Sequence, residues 1–240
     1  MKPDRRHPIV GAFAAAIWLA ASSALAQTAA PAPTSPAPVV SPSPALPPPA
    51  AAVVAPPVMV PIDQLMAIGP LPDIVQGSST APITIIEYAS MTCTHCAAFH
   101  ELTWPELKSK YIDSGRVKFI LREFPLDPLA TAGFMLARCA GPEKRNLLID
   151  QLFSQQKTWA FVDKPIEPLL AMVKTIGFSQ TDFETCLKNQ DLYEQVSQSR
   201  ERAAEAFNID STPTFFINGR KLTGEFAIGD FDRVLDPLVK

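Results

Sequence analysis

A β-branched run, Pro82-Ile-Thr-Ile-Ile-Glu-Tyr88, leads through four residues into Cys93-Thr-His-Cys96 and then into a stretch with helical spacing. The run reads as a buried strand, bounded upstream by Gly77-Ser-Ser. The helix extends to about Tyr111, with Phe99, Leu102 (or Thr103) and Leu107 as its apolar face and Pro105 expected to kink it. Ser114-Gly115 makes a turn, and Val117-Lys-Phe-Ile-Leu121 reads as a second strand. A strand, helix and strand in this order require parallel strands joined by a right-handed crossover. The chain is therefore committed to an α/β sheet with two cysteines where a strand gives way to a helix.

That position has a chemical consequence. The thiolate is the reactive form of cysteine, and an ordinary thiol is only slightly ionised at neutral pH. At a helix start, Cys93 lies near unsatisfied backbone N–H groups and the positive end of the helix dipole. His95, between the cysteines, can add a donor or a positive charge. Cys96, one turn further in, is the more buried, resolving thiol. A c-type haem site needs histidine directly after the second cysteine, where Ala97 stands. Zinc could recruit Cys93, Cys96 and His100 but finds no second ligand pair. No metal or other cofactor is expected, and His100 reads as a solvated helix residue.

From residue 127 to about 207 the sequence carries helix punctuation. Asp127-Pro128 suits a cap followed by proline at the first helical position, and Gly141-Pro142 is a stop. Further helices read as Arg145–Gln155, Glu167–Ile176, Ser179–Lys188 and Asp191–Phe207. Thr214-Phe-Phe-Ile217, Asn218-Gly219 and Arg-Lys-Leu222 read as a hairpin, because both turn residues tolerate positive φ. A last helix spans about Ile228–Leu238. Cys139 and Cys186 lie far apart in the helical part. They are read as a bridge, a second redox relay or two buried thiols, although a relay lacks the local spacing and the activating helix start.

The first 62 residues have no part in this pattern. Lys2, Arg5, Arg6 and His7 precede an apolar run from Ile9 to Ala26 that ends Ala24-Leu25-Ala26, the layout of a secretory signal peptide cleaved before Gln27. Left uncleaved, it would be a short membrane anchor. Residues 27–62 are rich in Pro, Ala and Ser and read as a disordered linker. Removing Lys2, Arg5, Arg6 and Asp4 takes 21 basic and 24 acidic residues to 18 and 23. A net charge of −5 offers nucleic acid or anionic lipid no electrostatic footprint. An exported chain meets an oxidising compartment, the periplasm, where paired cysteines form disulfides.

Four features in order carry a resemblance: a strand ending at Cys93-Thr-His-Cys96 on a helix start, a helical block, Ser211-Thr-Pro213 before a strand, and the Asn218-Gly219 hairpin. Residues 72–240 resemble the DsbA-like exported thiol–disulfide oxidoreductases of the thioredoxin superfamily. The fold implied is a thioredoxin fold, a central mixed sheet flanked by helices, over residues 63–240 with a helical insertion at about 127–190.

The resemblance implies roles residue by residue. Cys93 and Cys96 are the redox pair. Pro213, after Thr212, matches the family's cis-proline beside that pair, which leaves adjoining backbone free to pair with substrate. Glu87 matches the acid that members bury behind the second cysteine for proton transfer; an exposed strand-end carboxylate is the other reading. Cys139–Cys186 resembles the extra, non-catalytic disulfide that some members carry in the insertion. Thr94 departs from the proline of the best-known members, and Thr212 from the valine of some, which leaves the oxidising strength open. The implied activity is introduction of disulfides into reduced, unfolded exported proteins by a monomer, reoxidised by a quinone-linked membrane protein of the DsbB kind. A disulfide isomerase or reductase on the same fold is the first alternative. A non-catalytic, chaperone-like binding module is the second.

Overall fold

The computed structural model of the protein describes residues 58–222 and 226–239. The expected signal segment and the linker up to residue 57 lie outside the described residues. Five strands, β1 (Ile74–Gln76), β2 (Ile83–Ala89), β3 (Val117–Glu123), β4 (Thr214–Ile217) and β5 (Arg220–Leu222), form one sheet in the order β1-β3-β2-β4-β5. β2 and β3 are parallel and the other three pairs antiparallel. The central strand β2 is buried along its whole length, as its near-continuous apolar run requires.

Side chains alternate along β2, and the two faces of the sheet carry different cores. Ile86 and Tyr88 join Ile120, Phe124, Phe207 and Phe216 on one side. Ile85 and Ala89 join Phe99, Phe119, Phe134 and Phe215 on the other. With a period of two, Glu87 projects to this second side, together with Ile85 and Ala89. The first helix of the crossover, α2 (Thr94–Leu102), ends at Thr103, and α3 (Trp104–Leu107) follows, running into one π-helical turn at Lys108–Ile112; a short α1 (Ile62–Met66) precedes β1. Pro105 thus stands in the first turn of a new helix, where its missing N–H leaves no bond unmade, instead of kinking a continuous one. Leu102, expected on the apolar face, is 76% exposed, and Thr103, Trp104 and Leu107 are buried in its stead.

The helical block comprises α4 (Pro128–Cys139), α5 (Pro142–Ser154), α6 (Gln156–Trp159), α7 (Ile166–Thr175), α8 (Gln180–Leu187) and α9 (Gln190–Phe207), and α10 (Ile228–Leu235) closes the fold. Asp127 caps α4, its carboxylate accepting from the Ala130 N–H, and Ser179 and Asp182 form a reciprocal capping box on α8. A buried ion pair between Glu123, at the end of β3, and Arg138 ties α4 to the sheet. Among the described residues no helix is long and apolar enough to cross a membrane.

The segment at residues 58–62, assigned from its composition to the linker, belongs to the domain. Val60 N–H donates to the Gly219 carbonyl at 2.8 Å, and Lys221 N–H donates to the Val58 carbonyl at 2.9 Å, so this segment runs along β5. Proline-rich composition hid the pairing because Val58, Met59 and Val60 use their backbone for it. Gly219 has φ +88°, and a Cβ there would lie 2.2 Å from the Val60 carbonyl oxygen. Glycine is therefore required by this strand as well as by the turn. The short β1 also escaped the sequence reading. It is an edge strand of three residues, flanked by Asp73, whose carboxylate pairs with the buried Arg122 guanidinium at 2.7 and 3.0 Å.

Candidate active site

β2 ends at Ala89, and the turn Ser90–Thr92 delivers Cys93 to the N-cap of α2 with extended backbone (φ −79°, ψ 119°). A side chain at this position faces the first free N–H groups of the helix. The turn is held on every side. Cys93 N–H donates to the Ser90 carbonyl, the Thr92 hydroxyl donates to Asp127 at 2.5 Å, and Leu126 N–H donates to the Ser90 hydroxyl. The Gln156 amide, 3% exposed, donates to the carbonyls of both Met91 and Cys93 at 2.9 Å.

The two cysteines are not bridged to each other, and Cys93 is 8% and Cys96 0% exposed. The Cys93 thiol donates to the Thr212 carbonyl at 3.1 Å. Its pKa is lowered to about 5, chiefly because the Cys96 thiol donates to it. Burial opposes the shift, and the Thr212 hydroxyl and the backbone N–H groups of Cys96 and His95 reinforce it. A carbonyl cannot bond a thiolate, whereas the Thr212 hydroxyl, buried and without a partner among the described residues, is able to donate to one. Cys96 moves the opposite way. Burial lifts it well above the ordinary thiol range, and its bond to Cys93 and the charges of Glu87 and Cys93 add to the effect. One helix start thus holds a thiolate in front and a thiol behind it.

What His95 brings to the sulfur is its backbone N–H; its side chain is exposed and lines a groove. This groove, about 870 Å³, runs beside the redox pair between His95, Phe99 and Leu102 on one wall and Pro213, Leu222 and Phe226 on the other. The Thr212–Pro213 peptide is cis, and Pro213 is buried at the edge of β4.

Glu87 is fully buried, and its Oε2 lies 2.9 Å from His100 Nε2. His100 is 7% exposed, a correction to its reading as a solvated helix residue. The reason lies in helical phase: Cys96, Phe99 and His100 share the inner face of α2, and the His100 ring stacks on Phe153 of α5 at 4.1 Å. Its i, i+4 relation to Cys96 was the available signal. Gln156 and the Thr92–Asp127 bond left no signal in the sequence, because their partners lie 35 to 65 residues away along the chain.

Cys139, at the end of α4, and Cys186, in α8, form a disulfide with Cα atoms 6.1 Å apart. α4 starts at the redox turn through Asp127 and spans 12 residues, so the bridge lies roughly 18 Å from that turn along the helix axis.

Comparison with known proteins points the same way. The family profile described as Thioredoxin matches residues 71–237. The chain is 32% identical over 165 residues to a Rickettsia conorii protein named as a protein-disulfide oxidoreductase, covering 68% of this chain and 59% of the relative. It thus spans about three fifths of the length of the curated relatives it matches. The crystal structure of Wolbachia pipientis alpha-DsbA1 superposes with a TM-score of 0.66 at 31% identity, covering 72% of this chain and 94% of that one. A protein-disulfide isomerase from Novosphingobium aromaticivorans shares the fold at 19% identity and a TM-score of 0.63, over 71% of this chain and all of that one.

Proposed function

Because the chain belongs to the DsbA-like branch of the thioredoxin family, we propose that it is an exported thiol–disulfide oxidoreductase that gives its Cys93–Cys96 disulfide to reduced, newly exported proteins. The observation that carries this reading is the opposed pair of thiols: Cys93 with a pKa of about 5 and Cys96 buried and pushed upward behind it. In the oxidised protein a substrate thiolate attacks Cys93 Sγ, forming a mixed disulfide and expelling Cys96, which takes a proton. A second substrate thiolate then attacks the substrate sulfur of that bond, and Cys93 leaves as a thiolate. The substrate loses two electrons to form its disulfide, and the protein gains them as one thiolate and one thiol. A stabilised Cys93 thiolate is a good leaving group and favours the reduced protein, which is what makes such a disulfide an oxidant.

The apolar groove beside Pro213 suits an extended, unfolded chain, whose backbone can pair with the segment that leads through Thr212 and cis-Pro213 into β4. Glu87 serves as the acid and base for Cys96, and the Cys139–Cys186 bridge braces the insertion. Export through residues 1–26, periplasmic residence, a monomeric state and reoxidation by a quinone-linked membrane protein complete the proposal. The test is equilibrium of the redox pair against glutathione. An oxidase should poise near about −120 mV, whereas a value near about −270 mV would make the protein a reductase.

A further inference from the structure

We infer that His100, acting through Glu87, is the proton relay of Cys96, and that Asp150 connects this relay to solvent; the inference rests on the oxidoreductase reading of the cysteine pair. Glu87 and His100 are joined through Oε2 and Nε2 at 2.9 Å. The remaining atom at each end, Glu87 Oε1 and His100 Nδ1, is buried without a hydrogen-bond partner among the described residues. Neither atom is engaged by another group among the described residues, so each is free to take up or give up a proton. An unpaired oxygen at one end and an unpaired nitrogen at the other are what a unit that receives and releases a proton needs. At the sulfur end, Glu87 projects from β2 to the side of the sheet on which α2 packs through Cys96, Phe99 and His100, and its charge holds the Cys96 thiol up. At the far end, α5 stacks Phe153 on the imidazole and places Asp150 one turn earlier, at the surface. Burial raises the Asp150 carboxyl, and the neighbouring His100 and Lys108 partly offset it. The ionisable groups around the imidazole are thus Glu87 from β2, Cys96 from its own helix and Asp150 from α5, with Lys108 acting on Asp150; Phe99, Trp104 and Phe153 supply aromatic walls.

The relay is used whenever the disulfide closes. After the Cys93 thiolate has attacked a small-molecule disulfide, bonding one sulfur and expelling the other as a thiolate, the Cys96 proton passes to Glu87 Oε1, and the Glu87–His100 pair holds it as a neutral unit. The freed electron pair on Cys96 forms the bond to Cys93 Sγ, and the departing thiolate takes the pair of the broken S–S bond. The stored proton then leaves through His100 Nδ1 towards Asp150 and water. Substrate oxidation runs the same path backwards, supplying Cys96 with its proton as it is expelled.

The test uses the full chain. Reduced protein is mixed with glutathione disulfide, and closure of the Cys93–glutathione intermediate is followed by acid quench and mass spectrometry across pH. His100→Gln can still donate to Glu87 but cannot carry a proton. It should close at least tenfold more slowly at pH 7, with the deficit shrinking below threefold at pH 9 as hydroxide replaces the relay. Asp150→Asn should slow closure about threefold at pH 7 with the same recovery, and it carries the test alone if His100→Gln does not fold. Iodoacetamide should alkylate Cys93 at the unaltered rate in both variants. A wild-type rate in His100→Gln, or a deficit equal at every pH, would overturn the relay; a wild-type profile in Asp150→Asn would overturn the exit. A Cys93 that fails to form the glutathione intermediate in the unaltered protein would instead remove the oxidoreductase reading.

Discussion

The opposed thiols make the stability of the reduced protein depend on pH in a way the oxidised protein cannot share. Folding takes Cys93 from an ordinary 9.0 to about 5. A depressed pKa contributes stability that is complete above the unfolded value and disappears as pH falls through the folded value. Between those limits the contribution grows by about 1.36 kcal/mol per pH unit. From pH 5 to 8 this amounts to about 3.6 kcal/mol. Cys93 is buried, so solvent screens this gain little. Against it stands the disulfide, which closes a four-residue loop and favours the oxidised form by about 2 kcal/mol in the chain-entropy description. The oxidised protein should therefore be the more stable at pH 5, and the reduced protein the more stable at pH 8. For a domain of this size the melting temperature of the reduced form should rise by about 7–14 °C relative to the oxidised form over that range. The assay is calorimetry of both forms, the reduced one kept in a phosphine reductant. The scan stops at pH 8 because Cys96, held as a thiol in the fold, acts in the opposite sense once the unfolded chain begins to ionise. A difference between the two melting curves that stays constant from pH 5 to 8 would refute the reasoning.

Three other outcomes are expected. Thr212→Val removes the hydroxyl donor and should raise the Cys93 pKa by about one unit, the worth of one hydrogen bond to a charged group, read from thiolate absorbance against pH. Gln156→Leu leaves the Met91 carbonyl unpaired and takes from the Cys93 carbonyl one of its two donors, the Ala97 N–H remaining, and should cost about 2 kcal/mol in urea denaturation, with faster hydrogen exchange in the Ser90–Cys93 turn. Replacing Cys139 and Cys186 by Ala opens a loop spanning 47 residues. Stability should fall by about 2–4 kcal/mol, while the Cys93 alkylation rate stays unchanged; lost Cys93 reactivity in a folded double variant would identify a relay instead.

What could be read from the sequence divides along a physical line. Cys93 and Cys96 were legible because a strand, a turn and a helix start are local patterns. Glu87 followed from the family resemblance, and its burial, which the strand pattern left open, comes from the sheet. His100 was misread because a lone helix histidine is polar by type, and only the packing of α5 shows which face of α2 it shares. Gln156 was invisible because its partners are backbone carbonyls about 65 residues earlier, which no periodicity encodes. The start of the domain was misplaced for a similar reason: the pairing of Val58 and Val60 depends on the backbone of β5, while their side chains stand among prolines.

That pairing also bears on how the molecule stays apart from its neighbours. An open sheet edge is a template for any passing extended chain, including another copy of the same protein. Val58 and Val60 occupy the outward hydrogen-bonding positions of β5, a strand whose Lys221 and Leu222 also line the groove. A protease that removed the chain up to residue 61 would spare the sulfur chemistry and uncover a sticky edge beside it. The trimmed protein should then associate through paired β5 strands, seen as a larger species in size-exclusion chromatography. The few residues at the head of the domain thus cover the outer hydrogen-bonding edge of β5.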